Sequence, residues 1–154
     1  MVSSNLSPAL GTCDSLKRAG FPQDTVFVWA NQSRPMQRPM VAPRDANGAR
    51  WREACAAPTL TEVLAALPTE LRFEVPHPIL GTVERVHTLE VRLGDQTEIG
   101  YHILGSHEVQ HRTAHENVVE AAARLYLALY AASRLPRARE QHSGLVEEPM
   151  ARAA

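Results

Sequence analysis

Lysine is almost absent from this chain, cysteine is scarce, and there is no excess of charge of either sign. Of the 16 basic residues Lys17 is the only lysine, and 17 acidic residues bring the formal charge to −1. A balance this close creates no global field that would call for nucleic acid or an anionic membrane. No run approaches the roughly eighteen apolar residues that a spanning helix needs, and Met1 to Ser7 lacks the basic start and apolar stretch of an export signal. Cys13 and Cys55 are the only cysteines, too few for a disulfide framework, so two reduced thiols in a cytoplasmic protein are expected. What remains is a chain of 154 residues, enough for one domain with a real core.

One segment spells a recognised chemistry. His107-Glu108-Val109-Gln110-His111 has the H-E-x-x-H spacing that, on a helix, sets two imidazoles one turn apart for zinc, with the glutamate as general base. The setting argues against that use. Gly105 and Ser106 before it and Arg112 after it are loop-like neighbours, whereas a catalytic motif helix is flanked by apolar residues. His115 would be a third ligand, but residues 107, 111 and 115 on one straight helix span about 12 Å and cannot all reach one ion. Thr113-Ala114-His115-Glu116 also reads as a capping box, which would start the last helix at Thr113 and leave His107 and His111 in an irregular segment. The sequence therefore assigns no catalytic residue and no cofactor. His107, Glu108, His111 and His115 stand as candidate metal ligands only.

The helical and strand periods divide the rest. Residues 1–11 read as a flexible start, followed by a short helix from Cys13 to Ala19 that Thr12 caps and Gly20 closes. Thr25 to Ala30 reads as a strand. Residues 31–50, with Pro35, Pro39, Pro43 and Gly48, read as an extended loop without regular structure. Arginine crowds this loop and its borders. Arg34, Arg38, Arg44, Arg50 and Arg52, framed by Trp29 and Trp51, form a candidate surface for stacked single-stranded nucleic acid. The plainer account of so much arginine is codon bias in a GC-rich genome.

Thr59-Leu60-Thr61-Glu62 is a capping box that opens a helix with Leu60, Val63, Leu64 and Leu67 on one side, ended by Pro68. Alternation predicts strands over Leu71 to Val75, Val83 to Leu93 and Thr97 to Ile103, with a break at Pro76-His77-Pro78 and a hairpin turn at Gly94-Asp95-Gln96. His87 and His102 are read as packed or solvated histidines rather than ligands. A final apolar helix runs from about Ala114 to Arg134, and residues 136–154 read as a disordered tail. The predicted fold is α+β, an antiparallel sheet of three to four strands with helices packed on one face, within a single domain over 12–135. From Thr59 on, the α-β-β-β-α order resembles that of a double-stranded-RNA-binding domain. The last helix opens with Glu116, Asn117 and Glu120, however, where that family carries lysines.

Cys13-Asp14-Ser15-Leu16-Lys17-Arg18-Ala19-Gly20-Phe21-Pro22-Gln23, then Val28-Trp29, then Ala57-Pro58-Thr59-Leu60-Thr61-Glu62-Val63-Leu64-Ala65-Ala66-Leu67-Pro68 and the closing Ala-Leu-rich helix carry a resemblance to a group of small uncharacterised proteins of phages and prophages. It covers about Thr12 to Ser133. The resemblance implies a cytoplasmic accessory protein of a mobile element, working through an unknown protein partner, and brings no active site with it. Two stripes on the last helix, one with Val118, Leu125 and Leu129 and one with Val119, Tyr126 and Tyr130, raise a homodimer through Tyr126 and Tyr130 as a further expectation.

Overall fold

The computed structural model describes residues 6–32, 39–44, 51–103, 106 and 109–135. Among these residues three helices, α1 (Leu10–Arg18), α2 (Leu60–Ala66) and α3 (Val118–Ala131), accompany seven strands. These are β1 (Phe27–Gln32), β2 (Met40–Pro43), β3 (Trp51–Ala56), β4 (Glu70–His77), β5 (Gly81–Arg92), β6 (Thr97–His102) and β7 (Val109–His115). All pairings are antiparallel, in a three-stranded sheet of order β2-β1-β3 and a four-stranded meander of order β4-β5-β6-β7. The α+β class is as the sequence predicts, but with two sheets rather than one.

The smaller sheet is what the sequence pattern missed. The loop expected over residues 31–50 contains β2, and the strand after it, β3, has no counterpart in the prediction. Val41 and Cys55 both lie opposite Trp29, and Ala42 and Ala56 both lie opposite Val28. Val28, Ala30, Cys55 and Ala56 are buried. Because buried residues fall on both faces of this sheet, its strands show no polar alternation, and alanine is a weak strand signal. Pro43 is tolerated because β2 is an edge strand and ends there. The same reasoning explains Pro76, which sits inside β4, the edge of the larger sheet, where a break was expected.

The first helix starts earlier than its expected Thr12 cap. Ala9 is the N-cap and offers no side-chain bond, while Ser7 and Pro8, expected to be frayed, are buried. Its end follows the prediction. Gly20 takes a φ of 78°, its N–H bonds Lys17 O at 3.1 Å, and Phe21 N–H returns to Leu16 O at 3.0 Å. That double closure is a Schellman motif, which needs a residue at ease in the left-handed region. The capping box at Thr59 is present in full, and Glu62 also uses its Oε1 to accept Val26 N–H at 2.9 Å, joining α2 to the approach of β1.

The last helix departs most from expectation. Thr113 does not cap it; residues 109–115 form β7, paired to β6, and Asn117 is the N-cap, its Oδ1 accepting from Val119 and Glu120 N–H. The Thr113 hydroxyl instead donates to Ala121 O at 2.7 Å, linking β7 to α3. With four strands between α2 and α3, the α-β-β-β-α order does not hold. A capping box is a local signal, and here the ladder to β6 overrides it.

α3 is the centre of the core. Val119, Ala121, Ala122, Ala123, Leu125, Tyr126 and Leu129 are buried along it, against Leu16 and Phe21 from the α1 region, Val63 and Leu67 around α2, and Leu71, Ile99 and Tyr101 from the larger sheet. The three consecutive alanines permit close approach on three sides, and each buried Leu or Val contributes about 1.5–3 kcal/mol. Tyr126 packs edge-on against Phe21 with ring centroids 5.1 Å apart. Tyr101 reaches Pro68 O with its hydroxyl at 2.6 Å, and burial pushes that phenol's pKa up.

Gly100 occupies the one place where β6 and β7 lose register, between Ile99 and Tyr101. A Cβ there would lie 3.2 Å from both Arg112 Cα and His111 O, which are backbone atoms with little freedom to move. Gly100→Ala is expected to lower unfolding stability by roughly 1–3 kcal/mol in urea melts. Gly94→Ala, where the nearest atom is Gln96 O at 3.5 Å, should stay within about 0.5 kcal/mol of wild type.

Candidate functional site

His111, the second histidine of the H-E-x-x-H motif, is on a strand rather than a helix. His111 lies in β7, where the ladder is bulged, and takes a φ of 53°. Its ring stacks over Phe73 at 6.5 Å between centroids. Phe73 also meets His87 at 4.8 Å on β5 and carries the Arg134 guanidinium 4.8 Å from its centroid. This is an aromatic and cationic cluster at the margin of the core, held by dispersion and the ring quadrupole. His115 ends β7, and its Nδ1 accepts Asn117 N–H at 3.0 Å, fixing the turn into α3. His107 and Glu108 lie outside the described residues. Among the described residues no group of three His, Cys, Asp or Glu side chains is placed to hold a metal ion.

The candidate nucleic-acid surface is divided. Arg44 follows β2, and its guanidinium donates to Thr25 O at 3.0 Å and to Gln23 O, so it acts as a strap across the approach to β1. The Trp29 indole N–H donates to Pro8 O at 3.1 Å, and its ring is partly buried within the fold. Trp51 and Arg52 open β3 opposite Gln32 and Asn31. Arg34, Arg38 and Arg50 lie outside the described residues.

The outward face of the larger sheet carries a lattice of charge. Arg72 on β4 contacts Glu84 at 3.2 Å and Glu70 at 3.5 Å, Arg92 pairs with Glu90 at 2.9 Å, and Arg112 approaches Glu98 at 3.5 Å. These pairs are largely exposed and contribute little to stability in water. His102 is the exception: it is buried beside Arg92 and Glu90, and its Nε2 has no hydrogen-bond partner among the described residues.

The β4–β5 hairpin extends beyond the pairing of β5 with β6. Its ladder runs from Glu70↔Thr88 to His77↔Gly81, whereas β6 pairs with β5 only over Thr88 to Arg92. The far half is therefore an arm extending past the β5–β6 ladder. His77 Nδ1 accepts both Ile79 N–H at 3.3 Å and Leu80 N–H at 3.2 Å, and Gly81 closes the turn at a φ of 77°. The turn is thus locally fixed. At its tip Ile79 is 87% and Leu80 69% exposed. An open depression of about 520 Å³, lined by Glu84, Arg85, Val86, Ile103 and Ser106, lies alongside this arm.

Glu120 is the group sequence reading missed. It is the one buried carboxylate among the described residues. Oε1 accepts the Thr12 hydroxyl at 2.6 Å and Arg124 Nε at 2.9 Å, and Oε2 accepts Ala9 N–H at 2.9 Å. Burial pushes its pKa up, but the bonds from Thr12, Ala9 and Arg124 outweigh it and hold the carboxyl below its ordinary value. The available signal was a glutamate inside the first turn of an otherwise apolar helix, which suits the helix dipole but does not identify partners far away in sequence.

A depressed folded-state pKa means that the ionised form stabilises the fold above the unfolded value, and that this contribution is lost as pH falls through the folded value. Glu120→Gln should lower stability by roughly 1–3 kcal/mol at pH 7, because a neutral amide replaces the charge-assisted acceptor. Its melting temperature should also fall less steeply than that of wild type below the ordinary carboxylate range. Parallel acid slopes for the two proteins would contradict the assignment.

Comparison of the chain with protein-family models, with curated protein sequences and with solved structures gives no match.

Proposed function

We propose that this protein works by binding a protein partner rather than by catalysis, as a cytoplasmic accessory protein of a phage or prophage, and that the β4–β5 hairpin engages the partner. The observation that carries the reading is the pair Ile79 and Leu80, adjacent and exposed on a turn that His77 and Gly81 hold in shape. Isolated exposed aliphatics are ordinary on protein surfaces, but two together at the end of an ordered arm suit insertion into an apolar pocket. Burying each would contribute about 1.5–3 kcal/mol. Glu70, Arg72 and Glu84 further down the arm supply the polar rim such an interface carries. The phage setting rests on the resemblance of the helix starts and stops, and the absence of a membrane-spanning helix among the described residues is compatible with it.

The other readings have less support. The nucleic-acid reading loses Arg44 and Trp29 to contacts within the fold. A homodimer through Tyr126 and Tyr130 loses Tyr126, which is buried, and rests on Tyr130 alone, at 51% exposure. Zinc hydrolysis through His107, Glu108 and His111 loses the helical geometry it needs.

The test compares wild type with the double variant Ile79→Ser, Leu80→Ser in quantitative capture from host cells. At least one protein should be depleted about 30-fold or more from the variant, the loss expected for removing a hot spot of about 2 kcal/mol. The melting temperature should change by less than about 2 °C, since neither side chain packs in the core. Equal recovery of every captured protein would overturn the assignment of the hairpin. Light scattering is expected to give a monomer at micromolar concentration, and a dimer abolished by Tyr130→Ser would restore the second-copy reading.

A further inference from the structure

Cys13 and Cys55 are distant in sequence, yet α1 and β3 bring them together. Cys13 is in the first turn of α1, its N–H bonded to Ala9 O at 3.0 Å, and Cys55 lies in β3 opposite Trp29. Both are free thiols, each 1% exposed, and they are near enough for each to perturb the ionisation of the other. Above them Pro8 O accepts three donors, Trp29 Nε1 at 3.1 Å, Ser7 Oγ at 3.4 Å and Cys13 Sγ at 3.5 Å. The Ser7-Pro8 segment therefore lies against Cys13.

We propose that Cys13 and Cys55 are a two-electron redox pair, oxidised by hydrogen peroxide to a disulfide that fastens α1 to β3. This inference is independent of the hairpin and of any partner. The two sulfurs have unequal roles. The neighbouring Cys55 outweighs burial and draws the Cys13 thiol's pKa down, while Cys13, with burial, pushes that of Cys55 up. Cys13, whose Sγ touches Pro8 O at 3.5 Å, is the thiol uncovered when the Ser7-Pro8 segment opens, so it is the nucleophile and Cys55 is the resolving thiol.

The Cys13 thiolate attacks one peroxide oxygen, the O–O bond breaks, and hydroxide leaves to be protonated to water. The Cys13 sulfur has then lost two electrons and is a sulfenic acid. The Cys55 sulfur next attacks it, the S–O bond breaks, the S–S bond forms, and water departs with the Cys55 proton. In sum, two thiols and one hydrogen peroxide give one disulfide and two waters. Larger oxidants are excluded by burial, so reaction depends on opening of the Ser7-Pro8 cover.

The experiment treats the reduced full chain with hydrogen peroxide at neutral pH and follows intact mass. The expected product has lost two hydrogens, gives a single Cys13–Cys55 linked peptide under non-reducing digestion, and returns to starting mass with dithiothreitol. The melting temperature should rise by about 10 °C, since the bond closes a long loop. Cys55→Ala should stop at a sulfenic acid on Cys13, trapped by dimedone, and Cys13→Ala should leave Cys55 unoxidised under the same treatment. Unreacted thiols in the native protein, oxidation of wild-type Cys13 to sulfinic acid without a link, or disulfides only between chains would each overturn the proposal. The wild-type mass measurement decides it even where a variant fails to fold.

Discussion

The buried carboxylate of Glu120 joins two parts of the chain that no local signal connects. It sits in the first turn of α3 and receives the Thr12 hydroxyl and Ala9 N–H from the start of α1, together with Arg124 one turn further along its own helix. Asn117 Nδ2 adds a longer contact to Ser7 O at 3.5 Å. The segment from Ser7 to Thr12 is therefore ordered against α3, and its position in turn sets Pro8 O over Trp29 and Cys13. A buried ion is costly to desolvate, so it persists only where its oxygens are satisfied, as they are here. α3 itself is apolar enough to bury against α1, α2 and the larger sheet at once, and the carboxylate orients that otherwise non-directional contact.

The two sheets then have different characters. The smaller one has buried residues on both faces and is tied to its neighbours by side chains reaching to backbone: Gln23 Oε1 accepts Ala56 N–H at 3.0 Å, Arg44 bonds Thr25 O, and Glu62 takes Val26 N–H. The larger sheet buries Leu71, Ile99 and Tyr101 inward and presents an exposed lattice of Glu and Arg outward. Exposure of apolar side chains increases toward the end of the β4–β5 arm, away from α3.

Little of the candidate site was legible from residue spacing. The H-E-x-x-H spacing means adjacent ligands only if residues 107–111 are helical, and β7 replaces that period from Val109 onward. The grouping of arginines and tryptophans was real in composition, yet Arg44 and Trp29 are spent on carbonyls of their own chain. Neither outcome could be read locally, because each depends on which distant backbone group happens to be unsatisfied nearby. Cys13 and Cys55 carry no local signal of one another, and their adjacency follows from the packing of α1 on β3. The Ile79-Leu80 tip, by contrast, was visible only as a proline-flanked break between two strands.

The sequence by itself determined the elements whose signals are local and complete: the capping box that opens α2, the glycine that closes α1, the alternation that builds β5 and β6, and the apolar length of α3. Each depends on contacts within a few residues, so spacing carries the whole cause. Only the tertiary structure decided that β2 and β3 are strands, that Thr113 lies in a ladder rather than at a helix start, and that Glu120, Cys13 and Trp29 share a neighbourhood. Strand partners and buried polar partners come from far along the chain, and their free energy exceeds that of a single cap or a weak propensity.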